Sequence, residues 1–346
     1  METYARITGW GKYLPSRVLT NDDLSKMLDT SDEWIRTRTG IRERRIAADD
    51  ETASTMATPA SRRALEVAGL SPEDLDLIIV ATCTPDGIFP SCASLLQNAL
   101  GATKAAAFDV NAACSGFVYA LVTGCQFIQS GAYQNVLVVG SEVYSRIMDW
   151  EDRSTCVLFG DGAGAVVLQA DDRPTGPMSF VLGSDGSFSN ILYVPGPAGA
   201  RTNHNGHYCL RMAGPEVFRA AVQIMSGSAK KVVSLAGLGI SDVDLFIPHQ
   251  ANERLIAAAS RALGLPSEKV FINVGRYGNT SAASIPIALC EAVEEDRVHD
   301  GDRLVMVGFG GGLSWGAVVL QWGIREDGGF AALGEANYAQ FHCRPF

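Results

Sequence analysis

Three residues of this chain have types and settings suited to covalent chemistry. Cys114 lies in Phe108-Asp-Val-Asn-Ala-Ala-Cys-Ser-Gly-Phe-Val-Tyr-Ala-Leu121, which reads as a short apolar strand over 105–110 turning through small residues into an apolar helix over about 114–128. Unpaired N–H groups and the helix dipole at such a position favour thiolate over thiol, lowering a cysteine pKa from about 8.5 toward roughly 3.5–7.5. The expectation is a nucleophilic thiolate, with a small buried thiol as the alternative. His249, alone of the five histidines (204, 207, 249, 299, 342), ends a predicted buried strand, Val243 to Pro248, and opens the polar run His249-Gln-Ala-Asn252. Strand ends in α/β folds carry the reactive loops. Asn279 stands in Gly278-Asn-Thr-Ser-Ala-Ala-Ser284, a turn of small residues that enters a helix; its alternative is an ordinary N-cap. His204 and His207 form an HxxH in a polar loop without accompanying carboxylates, so no metal site is expected there.

The elements that must position these residues alternate. Strands are expected at 4–9, 75–82, 105–110 and 135–140, with helices from Asn21, over 52–69, 91–101 and 114–128. Thr30-Ser-Asp-Glu33 has the spacing of a capping box for a helix carrying Trp34. The run Arg36, Arg38, Arg42, Arg44, Arg45 reads as a solvated basic face. Such alternation predicts a mainly parallel sheet covered by helices. The chain also repeats itself. Ala68-Gly-Leu-Ser-Pro-Glu-Asp-Leu-Asp-Leu-Ile78 matches Ala236-Gly-Leu-Gly-Ile-Ser-Asp-Val-Asp-Leu-Phe246 at an offset of 168, which also aligns Val138-Val-Gly140 with Met306-Val-Gly308 and Asn111 with Asn279. Each copy closes on the same hexapeptide, Gly164-Ala-Val-Val-Leu-Gln169 and Gly316-Ala-Val-Val-Leu-Gln321. Two copies of one α/β unit are predicted, with boundaries at 1–172 and 173–322 and an unassigned tail over 323–346. Equivalent strand ends should meet near a pseudo-twofold axis, so that Cys114, His249 and Asn279 face one cleft.

Composition narrows the function. A chain of 346 residues with 47% hydrophobic residues can bury a large core. The net charge of −10 argues against a general nucleic-acid binder, and an anionic partner needs a local basic patch. Eight cysteines without CxxC pairs, no apolar leader and no run of about 18 apolar residues predict a cytoplasmic protein without membrane insertion.

With these residues in place the sequence resembles β-ketoacyl-acyl-carrier-protein synthase III, the initiating condensing enzyme of the thiolase superfamily. The likeness is carried in order by Ala113-Cys114-Ser-Gly-Phe, Pro248-His249-Gln-Ala-Asn252, Gly275-Arg-Tyr-Gly-Asn279-Thr-Ser-Ala-Ala-Ser and Phe309-Gly-Gly-Gly-Leu-Ser-Trp-Gly316, and spans about residue 4 to Trp322. It implies a thiolase-like α/β fold of two pseudo-symmetric halves, each with a mixed five-stranded sheet, in α/β/α/β/α layers. It implies a Cys114, His249, Asn279 triad, with an oxyanion hole at the N–H groups of Cys114 and Gly311. Acyl-CoA and malonyl-acyl-carrier protein are the implied substrates, in a homodimer needing no metal or redox cofactor. Trp34 and Arg153 match a pair that sandwiches the CoA adenine, Arg38 a residue near the pyrophosphate, and Asn252 one of the pantetheine tunnel. Phe89 matches a residue that reaches across the dimer to close the acyl pocket. Arg219 and Arg254 match the carrier-protein patch, which Lys230, Lys231, Arg261 and Lys269 extend. Rival readings within the superfamily are a priming ketosynthase or acyltransferase of a polyketide pathway, a thiolase, which needs a second cysteine as base, and a hydroxymethylglutaryl-CoA synthase, which needs a carboxylate near the cysteine where this chain has Asn111. From outside catalysis, a silent scaffold is expected to lack one of the three residues.

Overall fold

The computed structural model describes residues 2–196 and 208–323. The HxxH loop and the tail from 324, including its aromatic end Tyr338 to Phe346, lie outside the described residues.

In the first half the strands are β1 (Tyr4–Tyr13) and β2 (Arg17–Thr20), followed by α1 (Asn21–Ser25), α2 (Asp32–Thr39), β3 (Glu43–Ile46) and α3 (Ala53–Ala68). Next come β4 (Leu77–Ala81), α4 (Cys92–Leu100), β5 (Ala106–Val110), α5 (Gly116–Gln129), β6 (Asn135–Glu142) and β7 (Gly162–Asp171). The second half runs β8 (Gly176–Ser184), β9 (Leu192–Tyr193), β10 (Arg211–Met212), α6 (Gly214–Leu235), β11 (Leu245–Pro248) and α7 (Glu253–Leu263). It closes with α8 (Val274–Tyr277), α9 (Ser284–Glu294), β12 (Arg303–Gly310) and β13 (Ser314–Gln321).

The first sheet has the order β1-β7-β6-β4-β5, with β4 parallel to both neighbours and β7 antiparallel to β1 and β6. The second has the order β11-β12-β13-β8. Among the described residues it is one strand short of the five expected, because its edge beyond β11 is reduced to a single parallel bridge between Phe246 and Val270. Every residue of β4 and β13 is buried, as strands covered on both faces must be. One core cluster joins α5 and α9 to strands of both sheets, including Ile79, Val138, Ile247 and Met306. Separate clusters place α3 and α4 on the outer face of the first sheet and α6 and α7 on that of the second. Those five layers bring the two halves together along α5 and α9.

The offset of 168 is kept in detail. The short turn Ala113–Ser115 before α5 maps onto Ser281–Ala283 before α9, and each opens on a left-handed residue, Ala113 at φ 46° and Ser281 at φ 49°. Two expectations shift. Ser31, not Thr30, caps α2, its side chain accepting from the Trp34 N–H at 3.1 Å. Arg44 is fully buried rather than solvated, its guanidinium donating to the carbonyls of Leu19 and Val157 and to Asn21 Oδ1, and burial lowers its pKa to about 10. Among the described residues no helix is long and apolar enough to cross a membrane.

Candidate active site

The turn that holds Cys114 is pressed against the partner half by glycines. A Cβ on Gly310 would lie 2.5 Å from Cys114 N, and one on Gly308 would lie 2.8 Å from Ser115 Cα. The Ser115 hydroxyl donates to Ala112 O at 2.7 Å and meets Ser314 Oγ at 2.9 Å; Ser314 in turn bonds Ala112 O and Gly311 O. The Cys114 turn and the glycine loop 310–312 are therefore one rigid body. His249 follows β11, its N–H bonded to Val307 O at 2.8 Å. Asn279 is clamped by the first half, its N–H bonding Leu158 O at 2.8 Å and its carbonyl accepting from Gly160 N at 3.1 Å. Gly278 makes that approach possible: at φ 65° its Cα is too close to Leu158 O, 2.8 Å from a notional Cβ, for a side chain.

Cys114, His249 and Asn279 are 5%, 1% and 6% exposed and share one cavity of about 1370 Å³ with Gly311. The hydrogen bonds decide which atoms face the cavity. Asn279 Oδ1 accepts from the Ser281 N–H at 2.8 Å, which leaves the amide Nδ2 as the free end. His249 Nδ1 lies 2.6 Å from Ser284 Oγ, and that hydroxyl also receives the Gln250 N–H at 3.3 Å. A buried hydroxyl proton needs an acceptor, so Ser284 donates to Nδ1 and the ring proton sits on Nε2. Burial lowers the His249 pKa to about 3, so the imidazole is neutral. Two donors, Nε2–H and Nδ2–H, are thereby presented beside the sulfur's cavity.

Cys114 departs from the expectation of a lowered pKa. Burial pushes its thiol up to about 12, outweighing the hydrogen bonds from Ser281 and Tyr144 that favour the thiolate. The resting group is a thiol. Around it stand residues that sequence reasoning missed. Cys83, just beyond β4 and not near the C-terminal glycines where a thiolase's base cysteine is expected, lines the same cavity; its pKa is raised far by burial and by Glu142, so it is held as a thiol. A carboxyl also stands near: fully buried Glu142 receives Ser281 Oγ at 2.9 Å and Cys83 Sγ at 3.2 Å. Both come from the ends of neighbouring parallel strands, β4 and β6, and register alone could have paired them.

At the mouth Trp34 carries two guanidinium groups, Arg38 at 4.6 Å and Arg153 at 5.3 Å from the ring centroid. Arg38 lines the cavity, whereas Arg153 is absent from its wall and bonds Asp29. Asn252 lines it too, but its amide is engaged at both ends, capping α7 at Arg254 N and Leu255 N and donating to Arg38 O. Arg219 and Arg254 sit on the cavity rim. Lys269 does not extend that patch: its ammonium is spent on the carbonyls of Ser241 and Val243. Phe89 is 84% exposed beside Ile88 at 78%, and does not line this chain's own cavity. No cluster of three His, Cys, Asp or Glu among the described residues is set to hold a metal ion.

Comparison with known proteins places this arrangement. Residues 108–186 match the family described as 3-Oxoacyl-[acyl-carrier-protein (ACP)] synthase III, and residues 233–322 match its C-terminal counterpart. A β-ketoacyl-[acyl-carrier-protein] synthase III of Desulfitobacterium hafniense is 53% identical over 324 residues, covering 92% of this chain and 98% of the relative. Among solved structures, 3-oxoacyl-[acyl-carrier-protein] synthase III of Aquifex aeolicus superposes with a TM-score of 0.88 at 51% identity, covering 92% of this chain and all of the other. The priming β-ketosynthase of the R1128 polyketide pathway also reaches 0.88, at 38% identity, covering 94% and 98% of the two chains.

Proposed function

The chain belongs to the β-ketoacyl-[acyl-carrier-protein] synthase III family, and from that premise we propose that it joins a short acyl-CoA starter to malonyl-acyl-carrier protein, initiating fatty-acid synthesis through Cys114, His249 and Asn279. The observation that carries the assignment of residues is the convergence of a thiol from one half with two unspent donors, Nε2–H and Nδ2–H, from the other. In the first half-reaction the Cys114 sulfur attacks the thioester carbon. The oxyanion is held by the N–H groups of Cys114 and Gly311, and CoA departs. In the second, His249 and Asn279 donate to the malonyl thioester carbonyl, where charge builds as CO2 leaves, and the resulting carbanion attacks the acyl-cysteine. Both donors act on charge that exists chiefly in the transition state. A neutral histidine suits that role, because it donates without having to lose a charge. Loss of CO2 drives the carbon–carbon bond, so the scheme calls for no metal or redox cofactor.

CoA enters past Trp34, with Arg153 opposing the adenine and Arg38 near the pyrophosphate; both guanidinium groups already lie over the Trp34 ring, whose face suits a flat base. Asn252 borders the pantetheine arm. Arg219 and Arg254 meet the acidic carrier protein, a local positive field in a chain of charge −10. The units 1–172 and 173–322 act as the nucleophile half and the donor half. Phe89 closes the acyl pocket of a second copy in a homodimer, and the free thiols suit the cytoplasm. The alternative is priming of a polyketide pathway, favoured by the likeness to the R1128 enzyme.

The test is mass analysis of the Cys114 peptide after mixing with a panel of acyl-CoAs, followed by malonyl-carrier protein. Acyl mass on Cys114 and then CO2 release are expected. His249→Ala and Asn279→Ala should still acquire the acyl mass but lose roughly 10²–10³-fold in CO2 release. Acylation without carrier-dependent decarboxylation selects the polyketide alternative; no acyl mass from any donor sinks the condensing reading.

A further inference from the structure

Of the basic run Arg36 to Arg45 only Arg44 is fully buried, and the proposed reaction does not use it. Its partners are neutral: Nη1 donates to Leu19 O at 3.1 Å and to Asn21 Oδ1 at 2.9 Å, and Nη2 donates to Val157 O at 2.7 Å. Nε meets no hydrogen-bond partner, and among the described residues no carboxylate pairs with the group. A guanidinium is costly to bury on such terms, and this one is spent on holding a particular carbonyl.

That carbonyl belongs to the segment that clamps Asn279. Residues 156–161 lie in no helix or strand, and bonds such as Cys156 N to Asp152 O and Leu158 N to Thr155 O are short-range. From this segment Leu158 O accepts the Asn279 N–H at 2.8 Å, Gly160 N–H donates to Asn279 O at 3.1 Å, and Phe159 meets Asn279 in an isolated parallel bridge. β3 holds the segment at both ends: the Arg44 side chain grips Val157 O, and Asp161 N–H donates to Arg45 O at 2.9 Å. The Arg44 β-carbon also backs both glycines of the contact, 3.0 Å from a notional Cβ on Gly160 and 3.3 Å from one on Gly278. On its other arm the guanidinium is braced by Asn21, whose Nδ2 donates to Asp32 Oδ1 and Ile41 O.

We propose that Arg44 is a positioning residue for the second half-reaction: it fixes the segment 157–160 and, through it, the aim of the Asn279 amide at the malonyl thioester. This inference rests on Asn279 being a donor in that step. The other two members of the site are held elsewhere. The Cys114 turn is tied to the glycine loop through Ser115 and Ser314, and His249 through Val307 O and Ser284. A planar fork suits the task, because its two arms bridge Leu19 and Asn21 to Val157 at a fixed spacing, which a lysine ammonium on a flexible stem does not.

Arg44→Lys therefore keeps the charge and loses the bridge. Acylation of Cys114 by the acyl-CoA that labels wild type best should stay within about twofold, while CO2 release from malonyl-carrier protein by the acylated enzyme should fall roughly 10–10²-fold. The fall should persist in the His249→Ala background and vanish in the Asn279→Ala background, a coupling that general loosening of the fold does not produce. Hydrogen exchange should quicken about tenfold in peptides carrying Gly160 and Asn279, with the β4 peptide unchanged. Unchanged CO2 release, an equal fall in acylation, or a loss that adds in full to that of Asn279→Ala would each overturn the proposal. If Arg44→Lys does not fold, Asn21→Ala, which removes one of the guanidinium's acceptors, carries the same comparison. Should no acyl-CoA label Cys114, or Asn279→Ala leave CO2 release intact, the proposed reaction fails and exchange alone decides: quickened in both peptides it sustains the hold of Arg44 on Asn279, and unchanged it overturns that too.

Discussion

His249 shows how one side chain ties chemistry to stability. Its folded pKa, about 3, lies below the ordinary value of 6.5, so between those limits the unfolded chain binds a proton that the native site refuses. Stability from this residue is fully present above pH 6.5 and is lost as pH falls, by about 1.4 kcal/mol per unit. Urea unfolding between pH 6.5 and 5, above the main carboxylate range, should show that slope, and His249→Gln should reduce it by close to that amount. An unchanged slope would mean that the imidazole charges in the folded protein. The same residue illustrates what context adds to a motif. Pro-His-Gln-Ala-Asn marks the histidine in the sequence, but the tautomer depends on Ser284, 35 positions away.

Among the elements, the crossing of each half's strand with the other half's turn is the feature on which the site depends. Gly140 at the end of β6 and Gly308 at the end of β12 are related by the offset of 168, and each backs the turn of the opposite half. A Cβ on Gly140 would stand 2.2 Å from Ala282 O, and one on Gly308 would stand 2.8 Å from Ser115 Cα. Neither obstacle is a flexible side chain. Gly140→Ala and Gly308→Ala should each cost about 3 kcal/mol in urea unfolding, whereas Gly186→Ala, with nothing within 4 Å, should change stability by less than about 0.5 kcal/mol. Parity between the two kinds of variant would show that the turns can withdraw. The elements themselves were largely legible: the helix expected over 52–69 is α3, and the buried run around Leu77 is β4. The basic run was misread at Arg44 because charge pattern along the chain says nothing about three acceptors contributed by residues 19, 21 and 157.

At the scale of the whole molecule, Ile88 and Phe89 project an apolar pair into solvent and join no part of this chain's own cavity wall. Light scattering coupled to size exclusion should give twice the chain mass of 36.8 kDa, and Phe89→Ala should then broaden the range of acyl-CoAs that label Cys114. A monomeric mass would remove Phe89 from any acyl pocket. The two halves are held together chiefly through α5 and α9, whose shared core carries the Cys114 turn on one side and the Asn279 turn on the other. Site and core are thus one construction, and damage to the packing of these helices should reach the chemistry directly.

The sequence by itself determined the repeat and the alternation of strands and helices, because hydrophobic period and turn chemistry are written locally along the chain, and its four ordered motifs singled out Cys114, His249 and Asn279 as candidates. Tertiary structure alone decided the protonation states, the burial of Arg44, the company of Cys83 and Glu142 around Cys114 and, among the described residues, a second sheet of four strands rather than five. A pKa is set by the water excluded and the donors supplied, and at Cys114 those come from residue 144 and, across the pseudo-twofold, from residue 281. Separation in sequence hides such neighbours, and folding makes them adjacent.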